Sequence, residues 1–313
     1  MIVSASRRTD IPARYADWFM GRIRAGEVYT RNPLNPAQLT RVPLSPEVVD
    51  GIVLWTKDPA PLVPYLEELT RRGVVWYLQF TVTPYGSAIE RGLREKSAIE
   101  ATFCEIAARF GAQRLVWRYD PILLCEGIGV DWHKAQFARL CETFSGCTDT
   151  VTVSFVDQYG QKPDTRFRAP DAAQQTELAA FIGRTAPAFG IRPVACCEQQ
   201  SMLAPFGIGQ AACIDPLRLA PIGGWPLDAK KYKNQRPGRG CAAAVDIGAY
   251  DTCTNGCIYC YATHEKAGQR AARAAATHDA ASPLLCGSIR PGEIPREYPA
   301  KSLRTMQLRF LED

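Results

Sequence analysis

The chain is poor in histidine, with only three, and no run of about eighteen apolar residues occurs anywhere in it. The first absence makes a histidine-rich metal site or a classical zinc finger hard to build. The second removes the ordinary signature of a membrane-spanning helix. Residues 1–20 have no apolar signal core, because Arg7, Arg8, Asp10, Arg14 and Asp17 interrupt them. No low-complexity tract and no helical solenoid period is present. A soluble, cytoplasmic protein is therefore expected. The net charge is only +5, an excess compatible with an anionic ligand or a nucleic acid but diagnostic of neither. With 46% hydrophobic and 22% charged residues, the 313-residue chain has the composition of a folded globular protein.

Cysteine is what the chain has in plenty, at twelve residues. In a reducing compartment disulfides are disfavoured, so clustered cysteines point to metal or redox chemistry. Cys104, Cys125, Cys141 and Cys147 are scattered among apolar residues and read as core or spectator thiols. The others, from Cys196 onward, concentrate in the last third.

The first two hundred residues repeat a strand–helix rhythm. Apolar, β-branched runs at 2–6, 51–56, 74–82, 114–119, 150–156 and 191–197 read as buried parallel strands. Helices are expected over 11–24, 58–72, 87–110, 131–145 and 171–188, several of them ending at a glycine that hands over to the next strand. Residues 27–49, with Asn32-Pro33 and Asn35-Pro36, interrupt the rhythm as a hairpin or ordered loop, and residues 225–240 read as a basic loop. Alternating strands and helices define an α/β fold, and a TIM-like (β/α) barrel or partial barrel is the preferred form. The reason is that nearly every strand ends in a polar cluster: Arg7, Arg8 and Asp10; Lys57 and Asp58; Thr81 and Thr83; Arg118 and Asp120; Asp157; Glu198. In barrels such ends converge on one mouth. Lys57, Arg118 and Asp120 are the candidate catalytic or substrate-binding groups. For Asp10 and Asp58, helix caps and solvated loop positions are equally good readings. The expected organisation is a βα-repeat unit over 1–240, a cysteine-bearing strand–loop–helix over 241–276 that completes it, and an extension over 277–313.

The densest chemistry lies in 245–262, VDIGAYDTCTNGCIYCYA. A strand is expected over 245–250 and an Ala-rich helix over 261–276, with Cys253, Cys257 and Cys260 on the tight loop between them and Gly256 supplying backbone freedom. Three thiolates can hold three irons of a [4Fe-4S] cluster and leave the fourth open, and the N-terminus of the following helix would favour an anionic cluster. A structural zinc site usually takes two CxxC pairs, or one with paired histidines. Here there is one CxxC with an extra cysteine four residues upstream. Only His264 is near, while His133 and His278 lack finger spacing. Zinc stays open as an alternative. Cys197, Cys213 and Cys241 are either buried thiols or a second metal or redox site, and Cys241 is also a candidate fourth ligand. Counting the expected strand at about 3.3 Å per residue, however, places Cys241 at the opposite end from the loop.

The spacing CxxxCxxC, with Tyr259 before the last cysteine, resembles the signature of the radical S-adenosylmethionine superfamily, and CIYCYA resembles its spore photoproduct lyase-like branch. That resemblance implies that Cys253, Cys257 and Cys260 hold the cluster, that Tyr259 lies near the adenine of S-adenosyl-L-methionine, and that the cofactor is cleaved to a deoxyadenosyl radical with the help of an electron donor. In that superfamily the motif follows the first barrel strand. Here it follows the last, which makes the barrel circularly permuted. Across residues 2–265 the runs SASRRTDIPARY, TRNPLNP, LWTKDP, QFTVTPYG, WRYDPI, ACCE and IGAYDTCTNGCIYCYA resemble the uncharacterised bacterial domain of unknown function family 1848. Three functional classes remain at this stage. The first is a radical enzyme acting on a nucleotide, a peptide or a small acid. The second is a non-catalytic or redox-sensing iron–sulfur protein. The third is a zinc-stabilised nucleic-acid-binding module that uses Arg71-Arg72 and Lys230-Lys231.

Overall fold

The structure is a computed structural model and describes residues 1–157, 165–232, 235, 240–262 and 267–305. The strands are β1 (Ile2–Ala5), β2 (Glu27–Asn32), β3 (Asn35–Pro43), β4 (Gly51–Thr56), β5 (Trp76–Thr81), β6 (Leu115–Ile122), β7 (Thr150–Phe155), β8 (Arg192–Ala195), β9 (Gly209–Gln210), β10 (Val245–Asp246) and β11 (Arg296–Glu297). Eight of them form one sheet in the order β10-β1-β4-β5-β6-β7-β8-β9, every pairing parallel. The hairpin expected over 27–49 is the antiparallel pair β2–β3, which β11 extends into a small second sheet.

The helices are α1 (Ile11–Arg14), α2 (Ala16–Ala25), α3 (Leu66–Arg71), α4 (Lys96–Phe110), α5 (Val130–Phe144), α6 (Ala172–Ala188), α7 (Gln200–Leu203), α8 (Pro216–Gly223) and α9 (Ala267–Ala276). Strand periodicity divides the sheet into two faces. Val3, Ile52, Leu54, Trp76, Leu78, Leu115 and Trp117 point into the large core shared with the helices. Ile2, Val53, Tyr77, Val116 and Val194 point the other way, into a smaller core covered by Ile214, Leu219, Cys241 and Ala242. The ladder runs from β10 to β9, and among the described residues no pairing joins these two edge strands. The fold is thus mixed α/β around a parallel sheet. The expectation that β10 pairs with the N-terminal strand holds, since Val245 lies beside Val3 and Asp246 beside Ser4.

Several expected elements are shorter than their sequence periodicity suggested, each for a physical reason. The helix expected over 11–24 breaks at Tyr15, whose backbone leaves the helical region (φ −139°) while its hydroxyl donates to the Thr252 carbonyl at 2.6 Å. In place of 58–72 there is a short 3-10 turn, Val63–Tyr65, followed by α3, because Pro59, Pro61 and Pro64 punctuate the start. The helix expected from 87 begins only at Lys96, because residues 86–92 are used to hold the cysteine loop. The strand expected over 245–250 stops at Asp246, whose carboxylate turns back to accept the Gly248 N–H at 3.0 Å. The helix after the motif begins at Ala267, and residues 263–266, including His264, lie outside the described residues. The expected helix N-terminus immediately after Cys260 therefore has no described counterpart.

Candidate functional site

The inner face of the sheet places its polar residues by the same two-residue period. Beyond the apolar set come Trp55 and Lys57 from β4 and its exit, Thr81 from β5, Arg118 and Asp120 from β6, Ser154 from β7 and Cys196 just past β8. All of them line one cavity of about 1030 Å³ at the C-terminal ends of the strands. Cys253, Cys257, Tyr259 and Cys260 line the same cavity. So do Cys197, Glu198, Cys213 and Cys241. Lys57, Arg118 and Asp120 thus share a space with the motif, although up to 203 positions separate them from it in sequence, counted from Lys57 to Cys260.

The motif loop is fastened on three sides. Asn255 is buried, donates to Asp10 at 2.9 Å and accepts from Arg14 Nε at 2.7 Å. Asp10 also caps α1 through the Ala13 N–H (3.0 Å) and accepts the Lys57 N–H at 2.8 Å, so the cap reading and the site reading of Asp10 coincide. On the third side, residues 86–92 run alongside the loop. Ile258 N–H donates to Ile89 at 3.0 Å, Gly92 N–H donates to Asn255 at 2.8 Å, and Glu90 bridges Cys257 through the backbone. Gly256 adopts φ 65°, the left-handed conformation for which glycine was expected there. A Cβ on Gly92 would stand 2.6 Å from the Thr254 carbonyl oxygen and 3.0 Å from that of Asn255. Gly92→Ala is therefore expected to displace the loop and cost about 1–3 kcal/mol, as overpacking against backbone does. Thermal denaturation checks the loss, and a variant with unchanged melting temperature would show that the loop is not clamped there.

Glu90 is the centre of the site that sequence reasoning missed. It is buried, and its carboxylate accepts from Lys57 Nζ and Thr83 Oγ1, both at 2.8 Å, and also from Lys96 Nζ and the Tyr259 hydroxyl. Burial opposes its charge, but Lys57 and Lys96 outweigh burial and pull its pKa down to about 2. Burial likewise works against the Lys57 charge, and Glu90 outweighs it to give a pKa of about 12. The Lys57 ammonium also lies 5.3 Å from the centre of the Tyr259 ring. Tyr259 is thereby fixed by Glu90, Lys57 and an edge contact with Tyr85. A signal for Glu90 existed only in its place within PYGSAIERG, which read as helix.

Arg118 is buried and forked onto Asp120, with Nε–Oδ1 at 3.1 Å and Nη2–Oδ2 at 2.5 Å. Its Nη1 donates to Gln79 Oε1 at 3.0 Å and to Cys213 Sγ at 3.3 Å, and the guanidinium lies 5.3 Å from the Trp55 ring centre. Glu198 accepts the Phe155 N–H at 2.8 Å, and burial pushes its carboxyl up to about 7. Asp58, by contrast, is occupied by Arg94 through two hydrogen bonds, of 2.7 and 2.6 Å, and does not line the cavity.

Cys241 corrects the sequence expectation. The strand that was to carry it to the far end is only two residues long, so Cys241 lies in the wall of the same cavity, beside Cys213. The histidines contribute nothing to a metal set where they are described. His133 is buried between Tyr119 and the Leu123 carbonyl, each at 2.8 Å, and His278 contacts the Leu285 carbonyl at 3.0 Å. Among the described residues no three His, Cys, Asp or Glu side chains converge as the ligands of one metal ion would. A cubane cluster asks for something else, since each thiolate binds a different iron. The motif thiols fit that demand in kind: three sulfur donors on one clamped loop facing one cavity. Burial pushes the Cys253 and Cys257 thiols up, so their protons would have to be displaced on binding.

The fold and site define a mixed α/β protein with a parallel sheet whose strand ends and C-terminal cysteine loop enclose one polar, thiol-rich cavity. Residues 2–262 match the family described as Domain of unknown function (DUF1848), and the chain belongs to that family. No curated protein and no solved structure matches it. No described helix is long and apolar enough to cross a membrane.

Proposed function

We propose that the protein is an iron–sulfur enzyme of the radical S-adenosylmethionine type, built on a permuted partial barrel in which the cysteine loop comes last. The observation that carries this reading is that Cys253, Cys257 and Cys260 line one cavity with Lys57, Arg118 and Asp120 at the C-terminal ends of a parallel sheet. The cavity, about 1030 Å³, is at the upper end of ligand-site volumes and has room for a cofactor beside a substrate. Cys253, Cys257 and Cys260 would hold a [4Fe-4S] cluster, leaving one iron free for S-adenosyl-L-methionine. Such a cluster, given a one-electron donor, would supply reductive cleavage of the cofactor's carbon–sulfur bond. The chain's own residues then bind and orient. Tyr259, braced by Glu90 and Lys57, lines the cavity beside the loop. Arg118, held by Asp120 and Gln79, is a fixed planar cation for an anionic or carbonyl group of a nucleotide, a peptide or a small acid.

The test is anaerobic reconstitution with iron and sulfide, reduction with dithionite and addition of S-adenosyl-L-methionine. Formation of 5′-deoxyadenosine and methionine, with a changed EPR spectrum of the reduced cluster, is the expected result. An unchanged spectrum at saturating cofactor, with no cleavage, would leave an iron–sulfur protein without radical chemistry.

A further inference from the structure

The motif accounts for three of the cavity's cysteines and leaves four: Cys196, Cys197, Cys213 and Cys241. They come from three segments and meet in a row. Cys197 Sγ lies 3.4 Å from Cys196 Sγ, Cys196 Sγ lies 3.3 Å from Cys213 Sγ, and Cys213 is hydrogen-bonded in turn to Cys241. Cys197 is held at φ 67°, a conformation unusual for a side-chain-bearing residue, which is how two adjacent cysteines keep their sulfurs together.

Cys196 and Cys213 are distinguished within this row. They follow β8 and β9, which pair side by side, and the Ala211 N–H donates to the Ala195 carbonyl at 2.9 Å. Their backbones are therefore fixed relative to each other. The two sulfurs stand 3.3 Å apart, against the roughly 2.05 Å of a disulfide. A guanidinium, Arg118 Nη1, touches Cys213 at 3.3 Å and favours its thiolate. Contacts with Cys196 and Cys241, together with Arg118, hold Cys213 well below the usual thiol range, whereas contacts with Cys197 and Cys213 hold Cys196 above it. One sulfur is thus ready to attack and its neighbour keeps its proton.

We propose that Cys196 and Cys213 are a reversible dithiol–disulfide pair in the cavity wall, oxidised by a peroxide, with Cys213 as the attacking sulfur. The Cys213 thiolate attacks one peroxide oxygen, and the O–O bond breaks to give a sulfenic acid and hydroxide. The Cys196 thiol then displaces water from that sulfenic acid to form the disulfide. Two electrons pass from the two sulfurs to the peroxide, which ends as one water and one hydroxide. The disulfide removes the anionic sulfur from Arg118 and so alters the charge around the Arg118–Asp120 pair. This pair does not depend on a cluster being bound at the motif loop.

The experiment treats the reduced full chain with stoichiometric hydrogen peroxide, blocks free thiols with N-ethylmaleimide and maps the peptides by mass spectrometry. Peptides carrying Cys196 and Cys213 are expected to be joined with loss of two hydrogens and to separate in dithiothreitol, while Cys141 stays alkylated. Arg118→Gln is expected to slow bond formation about tenfold, and Arg118→Lys, which keeps the charge, to recover most of that rate. The same mapping in Cys257→Ala removes any contribution of a damaged cluster. The idea is overturned if both cysteines remain alkylated after peroxide, or if Cys213 is joined to Cys241 instead. It is equally overturned if reduced Cys257→Ala retains a stoichiometric metal that shields these thiols from maleimide. The wild-type map decides even if the Arg118 variants do not fold.

Discussion

Cys257→Ala is expected to purify colourless after anaerobic reconstitution, with iron falling from about four per chain to well under one. Cys257 is the middle of the three motif thiols, and its backbone is bridged to Glu90, so the two remaining sulfurs cannot shift to cover for it. Two thiolates hold a four-iron cluster poorly. Iron and acid-labile sulfide assays with visible absorbance are the measurement. Cys104→Ala is the control. Cys104 lies on α4, its sulfur hydrogen-bonded to the Thr143 carbonyl at 3.6 Å, and it is not part of the cavity wall, so metal content is expected to stay unchanged. Zinc as the sole stoichiometric metal in the anaerobically isolated wild type would overturn the cluster reading.

The largest expected loss of stability comes from Glu90→Gln. The variant keeps the size of the side chain but leaves Lys57 and Lys96 without the carboxylate that both of them grip. Breaking a buried pair from one side costs about 3–5 kcal/mol, and the lower end is appropriate because both ammonium groups are partly solvated. A chain of this size should then melt roughly 5–10 °C lower. Glu90 is an acid whose pKa is depressed in the folded state. The stability it contributes is therefore present above the ordinary carboxylate range and is lost as pH falls towards about 2. Wild type should lose stability over that acid window, and Glu90→Gln should show a flatter profile across it. Matching profiles in the two proteins would mean that Glu90 carries no buried charge.

The parallel sheet was legible because buried strands such as GIVLWT and TVTVSF read as apolar or β-branched runs, and their polar exits marked the cavity side. Cys253, Cys257 and Cys260 stood out by spacing alone, and all three line that cavity. What escaped was set by contacts between segments far apart in the chain. Glu90 sits in a stretch with helical periodicity, yet residues 86–92 are spent on backbone bonds to a loop more than 160 positions later. Cys241 was misplaced because VDIGAY has the composition of a strand, while the Asp246 carboxylate ends the ladder after two residues. The row of four sulfurs has no local signature, since residues 196, 213 and 241 meet only once β8, β9 and the segment before β10 are in place.

The pairing of β10 with β1 joins one of the latest strands to the earliest one. On the ribosome, every strand from β1 to β9 emerges before residue 253 does. The scaffold can therefore collapse while the groove for the cysteine loop is still empty, with Asp10, Arg14 and Glu90 already made and waiting for their partners. Seating of the cysteine loop therefore follows the sheet it seats against, and residues 267–305 are added after it. A chain stalled or truncated before residue 253 would have every strand from β1 to β10 and lack the loop that closes the cavity wall.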